Sequence, residues 1–232
     1  VTDPLLAVNK RFVFQKEKIS RWITGEKYCA VMLMDGNIGV SATLGYPVDQ
    51  NEIPVEPDMN NPSHRILLLA YYNALLNINA LQEESGDIFD IIKFDQYHSH
   101  VMVGLFRPLL GELHKHQIFP VVFDNNHSDN ILTPQSELST CLNKADMVIL
   151  SATSVINMTF SSVLSEAVRA DVFVLGPSTL MYPDIYQSKN IKCLFGSVFN
   201  SHDEELLSII ESGGGTRSFS GRMQKRCILL SF

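Results

Sequence analysis

Along this chain the apolar residues come in short unbroken runs, most of them closed by small polar residues or glycine. The strongest is Ala145-Asp146-Met147-Val148-Ile149-Leu150, which runs into Ser151-Ala152-Thr153-Ser154-Val155-Ile156-Asn157-Met158-Thr159 and restarts at Phe160. This pattern predicts a buried strand, a polar break and a helix over residues 160–168. Residues 171–175 predict a second strand, which stops at Gly176-Pro177-Ser178-Thr179. Further runs predict strands at 100–104, 118–124, 191–195 and 226–230, with helices at 108–116, 135–144 and 202–212. Strands that are apolar throughout and alternate with helices predict a parallel sheet covered on both faces. Ligands bind such sheets beyond the carboxyl ends of the strands.

The first part of the chain reads differently. Residues 28–34 and 38–44 flank Asp35-Gly36-Asn37 and predict a hairpin, because glycine accepts the positive φ that such turns need. Residues 45–63 carry Pro47, Pro54, Pro57 and Pro62 among acidic side chains and predict an irregular loop. A helix is predicted from Ser63, and residues 66–76 are apolar nearly all round, so it is expected to be buried on most sides. Asn73 is the odd residue in it. Its amide must find partners, either in neighbouring backbone or at an interface between domains. Residues 5–14 are too brief to type, and Glu83-Glu84-Ser85-Gly86-Asp87 reads as a polar break. The reading is an α/β protein, with a small α+β domain over 1–95 and a Rossmann-like parallel-sheet domain over 96–232.

Candidate chemistry gathers at the strand ends. The first turn of the second part, Val103-Gly104-Leu105-Phe106-Arg107-Pro108, has one glycine where a dinucleotide fingerprint needs three, so an ordinary nicotinamide dehydrogenase is not expected. Gly104, Phe106 and Arg107 are nevertheless placed to meet a ligand, and Arg107 at a helix start could hold a carboxylate or phosphate. Asp124 sits where Rossmann proteins hold a ribose hydroxyl, although Asn125-Asn126-His127 after it also suits a turn. Thr153, Asn157 and Thr159 exceed what one helix cap needs. Gly176, Pro177, Ser178 and Thr179 offer a tight turn followed by hydroxyl and N–H groups, a second cradle for a polar or anionic group.

Composition narrows the partners. Of the 232 residues, 45% are hydrophobic and the net charge is −7, which suits a packed globular protein and argues against nucleic acid as the main partner. No apolar run approaches a bilayer span of roughly 20 residues, and there is no charged-then-apolar leader, so no membrane partner is expected. Cys29, Cys141, Cys193 and Cys227 are far apart and unpaired in sequence, which predicts buried thiols in a reducing cytoplasm rather than a zinc site. His98 and His100 alternate, and His114 and His116 would not face each other on a helix, so no protein-borne metal site is predicted. There is no Gly-x-Ser-x-Gly elbow, and no nucleophile–base pair can be nominated from spacing. A homodimer is the base-rate expectation. No cofactor can be named.

Several stretches together resemble the family called "putative heavy-metal chelation", a group of uncharacterised bacterial and archaeal proteins. They are residues 38–43, 72–76 and 101–106, then 145–153 with Asn157 and Thr159, then Leu175-Gly176-Pro177-Ser178-Thr179, and the tail from Glu211 to Phe219. The resemblance implies an enolase-N-terminal-like domain joined to a Rossmann-like one, with a ligand cleft between them. Residues 145–159 and the Gly176 turn would form one wall and the segment around Asn73 the other. Two departures stand out. Ser151-Ala152-Thr153 replaces the family's common Thr-Gly step, and Met158 follows Asn157 where a small residue is usual. The implied function is binding of a small polar or anionic molecule, a metal chelate or metallophore being one form of it. The alternatives are a small-metabolite transferase or lyase using Arg107 and Asp124 with Asn157 as a polariser, and a non-catalytic interaction protein with a vestigial cleft.

Overall fold

The computed structural model describes residues 2–49, 53–82, 88–125, 129–186 and 188–230. The predicted break at Glu83–Asp87 and the Asn126-His127 turn lie outside these residues. Among them the chain forms two sheets. The smaller is antiparallel, in the order β1 (Ile19–Thr24), β2 (Tyr28–Leu33), β3 (Ile38–Ala42). The predicted hairpin is β2–β3, with Met32 opposite Ile38 and Gly36 at φ +86°. A side chain on Gly36 would also overlap the His202 ring. Strand β1 has no counterpart in the sequence reading: Ser20 and Arg21 are exposed on this edge strand, so its apolar run is broken. Residues 5–14 contain a helix, α1 (Pro4–Arg11), capped by Asp3, whose carboxylate accepts from Leu5 N and Leu6 N.

Helix α2 (Pro62–Leu76) starts at the predicted place. Asn61 caps it by accepting from Ser63 N at 2.9 Å, and proline takes the first turn, where its missing N–H costs nothing. The helix lies directly against β3. A Cβ on Gly39 would overlap the main-chain Ala74 N and Ala70 O, so only glycine permits this approach. Asn73 on α2 and Asn77, the residue that caps its end one turn later, then clasp the rest of the molecule. Asn73 Nδ2 donates to Val40 O at 2.9 Å and to Ser178 O at 3.2 Å. Asn77 Nδ2 donates to Thr179 O at 2.9 Å, while its Oδ1 accepts from Met181 N at 2.9 Å. Ser178 Oγ completes the clasp by accepting from Ala42 N at 3.0 Å.

The larger sheet has the order β5-β4-β6-β7-β8-β9. Its strands are β4 (His100–Val103), β5 (Val121–Phe123), β6 (Met147–Ser151), β7 (Asp171–Leu175), β8 (Ile191–Phe199) and β9 (Met223–Leu229). All neighbours run parallel except the final pair, in which β9 is antiparallel to β8. Successive residues of β6 alternate between two cores. Val148 and Leu150 pack with α2 and with α5 (Leu138–Lys144) and α6 (Phe160–Glu166), whereas Met147 and Ile149 pack with α4 (Arg107–Lys115). This alternation makes the run apolar throughout, as a sheet covered on both faces requires. Helix α3 (Ile88–Ile91) precedes β4, and Ile92 and Phe94 after it join the α4 core. Helices α7 (Glu204–Glu211) and α8 (Thr216–Phe219) return to the small sheet, where Leu206, Leu207, Ile210 and Phe219 pack on Ile23, Met32 and Val40.

Asp146 fastens the entry of the large sheet, accepting from His98 N at 2.8 Å and Ser99 N at 2.9 Å. Burial raises its pKa, and the two N–H donors outweigh burial, so the carboxyl titrates below its ordinary value.

Gly39→Ala is expected to lower stability by at least about 3 kcal/mol, because neither overlapped atom can move without shifting a helix or strand. Asn77→Ala strands buried carbonyls and an N–H group and is expected to cost about 2–4 kcal/mol in urea melts. Asp146 contributes stability above its unfolded pKa of about 3.9, and this contribution disappears as pH falls through the lower folded value. Melts taken stepwise from pH 7 to pH 2.5 should show a steeper acid decline in the parent than in Asp146→Asn; parallel curves would refute this role.

Candidate functional site

The strand order creates a crevice at one point. Strand β4 lies between β5 and β6, so the chain leaves β4 towards one side of the sheet and leaves β5 towards the other. Loops that diverge in this way open a cleft beyond the strand ends. Val103 and Gly104 form its floor, Phe123, Asp124 and Asn125 one wall, and Ser151, Thr153, Ser154, Asn157 and Thr159 the other. Gln135, Leu138 and Val163 close the side. The enclosed part of this space is about 50 Å³; with the solvent at its open mouth the space is about 460 Å³.

The floor is shaped by a matched pair. Gly104 has φ +101°, and a Cβ there would come within 2.5 Å of the Ser151 Cβ. The departure at Ser151 therefore puts a side chain against the floor that only glycine at 104 accommodates. Gly104 N donates to Phe123 O at 2.7 Å, and Leu105 N donates to Asp124 Oδ2 at 2.7 Å. Both N–H groups that a phosphate would seek in this turn are thus already bonded. Asp124 acts as the anchor of the β4–α4 turn and also lines the crevice.

The other wall is the exit from β6. Ser151 Oγ and Thr153 Oγ1 share a hydrogen bond of 2.8 Å, and Ser151 caps a 3-10 turn over Ala152–Val155. Thr159 N donates to Ser154 O at 2.9 Å. Asn157 Oδ1 accepts from Thr159 Oγ1 at 2.6 Å and from Thr159 N at 3.3 Å, so it braces the loop before α6 rather than capping the helix itself. Between them Met158 takes φ +61°, the left-handed region that disfavours a side chain, and is 47% exposed. Two groups on this wall remain unbonded. Ser154 is 3% exposed and its Oγ has no partner among the described residues. The Asn157 amide nitrogen likewise makes no hydrogen bond there.

A buried arginine holds this wall from behind. Arg65 of α2 is 1% exposed. Its Nε donates to Val155 O at 3.0 Å and its NH1 to Met59 O at 3.0 Å, and its NH2 pairs with Asp3. The first part of the chain therefore reaches the crevice through Arg65 and the loop carbonyl it holds.

Of the residues singled out in the sequence, Gly104, Asp124, Thr153, Asn157 and Thr159 come together in the crevice. Phe106 stands beside Gly176, its ring 3.9 Å from where a Cβ on that glycine would lie. Arg107 is paired with Asp129 and does not line the crevice; its hydrogen bond holds the Asp129 carboxyl low. Asn73, Ser178 and Thr179 are 1%, 2% and 0% exposed and form the clasp described above, and Pro177 belongs to the turn leading into it. Among the described residues the crevice lining comes from residues 103–163, and Asn73 is not part of it. The sequence reading missed Ser151 and Ser154 as lining groups, although both stand in the polar run. Arg65 had a signal too, a charge inside an otherwise apolar helix. Gln135 had none.

Among the described residues, no three or more His, Cys, Asp or Glu side chains gather as a metal site. Among the described residues, Asp124 is the one such side chain in the lining. Burial pushes the Cys29 and Cys193 thiols up, keeping them protonated. His64 Nδ1 accepts from Asp58 N, and His100 Nε2 bonds Phe94 O, so both rings have structural partners. No helix among the described residues is long and apolar enough to cross a membrane.

Among the solved structures that share the fold are the following two. One, a protein with unknown function from the DUF364 family of Pyrococcus horikoshii, is 21% identical, covers 98% of this chain and 100% of its own, and has a TM-score of 0.83. The other, from the same family in Desulfitobacterium hafniense DCB-2, is also described as of unknown function; it is 16% identical, covers 97% of this chain and 98% of its own, and has a TM-score of 0.77. No curated protein matches the chain. The model of the family described as "Putative heavy-metal chelation" matches residues 87–229, most of the chain, and the protein therefore belongs to the DUF364 family.

Proposed function

We propose that the chain binds a small polar molecule, and in particular an organic metal chelate, in the crevice between the ends of β5, β4 and β6. The observation that carries this reading is the lining. It offers hydroxyl and amide groups with one carboxylate, and neither lysine nor arginine among its described residues. A nucleotide or a free polyanion would meet Asp124 with no lysine or arginine among the described lining residues, and would find the floor N–H groups bonded. Among the described lining residues a bare transition metal ion would find a single ligand of the usual kind. A chelate brings its own ligands and presents an organic shell, which hydroxyls and amides suit. The family description supports metal as the cargo.

The test is thermal unfolding with nickel, cobalt or copper chloride alone and with the same ions bound to histidine or to citrate. A chelate at a hundred times its Kd stabilises by about 2.7 kcal/mol, and the rise should shrink in Thr153→Val, which removes one of the paired hydroxyls. Equal shifts from the bare ions, unchanged by that substitution, would sink the reading. Asp124→Asn keeps a carbonyl oxygen for Leu105 N, so stability should change by less than about 1 kcal/mol. A complex of net positive charge should nevertheless bind it about tenfold more weakly, measurable by calorimetry.

A further inference from the structure

A second opening lies away from the crevice. Where the chain between α1 and β1 passes over the later turns of α2, it leaves an open groove of about 490 Å³. This connecting segment is pinned by its aromatic rings. Phe12 packs edge-on against Tyr182 with centroids 5.3 Å apart, and Phe14 against Tyr71 at 4.9 Å. Val13, between the two anchored rings, turns outward and is 74% exposed. Val13, half-buried Phe12 and half-buried Leu75 give the groove an apolar surface that a ligand can touch, and the buried Tyr71 and Leu76 close it from behind. The charge here is opposite to that of the molecule. Residues 10–18 carry Lys10, Arg11, Lys16 and Lys18 against Glu17 alone, in a chain of net charge −7. Among the described residues, Arg11 and Lys18 line the groove and no aspartate or glutamate does. Arg11 is already engaged, paired with Asp184 at 3.0 Å and lying 5.1 Å from the centroid of the Tyr182 ring. Lys18 is exposed, and among the described residues no acidic side chain pairs with it; the half-buried Gln15 amide likewise makes no hydrogen bond there.

An apolar trough with an unpaired cation at its edge is complementary to an amphiphile with an acid at one end. We propose that the groove binds a soluble single-chain carboxylic acid. Its hydrocarbon tail lies on Val13, Phe12 and Leu75, and its carboxylate meets the Lys18 ammonium and the Gln15 amide. The tail supplies most of the affinity, since a surface lysine alone holds an anion weakly, and the head selects acids over other amphiphiles. The volume falls in the range of roughly 300–1,000 Å³ usual for small-molecule sites. The net charge of −7 opposes docking to an anionic bilayer, which favours the free acid as occupant. No residue lines both this groove and the crevice, so this is a second site.

The experiment titrates the full chain in a calorimeter with butanoate, hexanoate, octanoate and decanoate below micelle-forming concentrations, with octylamine and octanol as charge controls. Octanoate should bind at one saturable site. Each added methylene should tighten binding about twofold to fourfold, and octylamine should bind at least about tenfold more weakly than octanoate. Lys18→Gln and Val13→Ser change exposed side chains, so both variants should melt close to the parent temperature. Lys18→Gln should weaken octanoate about threefold to fivefold and leave octanol unchanged, whereas Val13→Ser should weaken both about threefold. Absence of binding at every chain length, octylamine binding as well as octanoate, or octanoate binding indifferent to both substitutions overturns the proposal. Equal loss of octanoate and octanol in Lys18→Gln overturns the place given to the carboxylate. Binding confined to phosphatidylglycerol vesicles, with the free acids ignored, overturns the free acid as occupant and makes the groove a membrane contact.

Discussion

The absence of a side chain at position 39 sets the geometry of the whole molecule. It lets α2 rest its main chain on β3, a separation that any Cβ would widen. That close approach brings Asn73 and Asn77 within reach of main-chain groups on both sheets. The asparagines in turn hold residues 178–181 at the exit of β7. Main-chain carbonyls buried this far from water need such donors, because leaving one unmet costs on the order of 1–3 kcal/mol. An apolar helix can be packed in many rotations, and the paired amides select one.

From that arrangement the crevice inherits its back wall. Helix α2 also carries Arg65, whose guanidinium is fixed by Asp3 at the cap of α1 and by the carbonyls of Met59 and Val155. A fully buried arginine is tolerable when its donors are met, and here they are met by a carboxylate and main-chain oxygens. The loop bearing Thr153, Ser154, Asn157 and Thr159 is therefore held from the side away from solvent, which leaves its polar groups free to face the crevice. The sheet supplies the opening by reversing its direction of growth at β4, and the matched fit of Gly104 against Ser151 supplies the floor.

The sequence made the framework legible because buried strands must be apolar on both faces. The runs at 100–104, 145–150, 171–175 and 191–195 each became a strand of the large sheet. The hairpin was equally readable, since Asp35-Gly36-Asn37 is a local signal. The site was only half readable. Polar residues at a strand end look alike in sequence whether they face solvent, a ligand or another helix. Thr153 and Asn157 line the crevice, whereas Ser178 and Thr179 are covered by α2, an element about a hundred residues earlier in the chain. Nothing local distinguishes the two cases. The same limit explains α7, whose amphipathic pattern announces a helix but not that its apolar face belongs to the first sheet.

That return of α7 and α8 to the small sheet has a consequence for how the chain can be made. The hairpin and β1 leave the ribosome well before the residues that cover one of their faces, which run as far as Phe219. The other face meets α2, whose asparagines wait for residues 178–181. Neither sheet can close its core from its own stretch of sequence, so neither end of the chain is a self-sufficient folding unit during synthesis. The small sheet must remain partly uncovered until residues as far as Phe219 have emerged. Its apolar faces are then the surface most exposed to premature association.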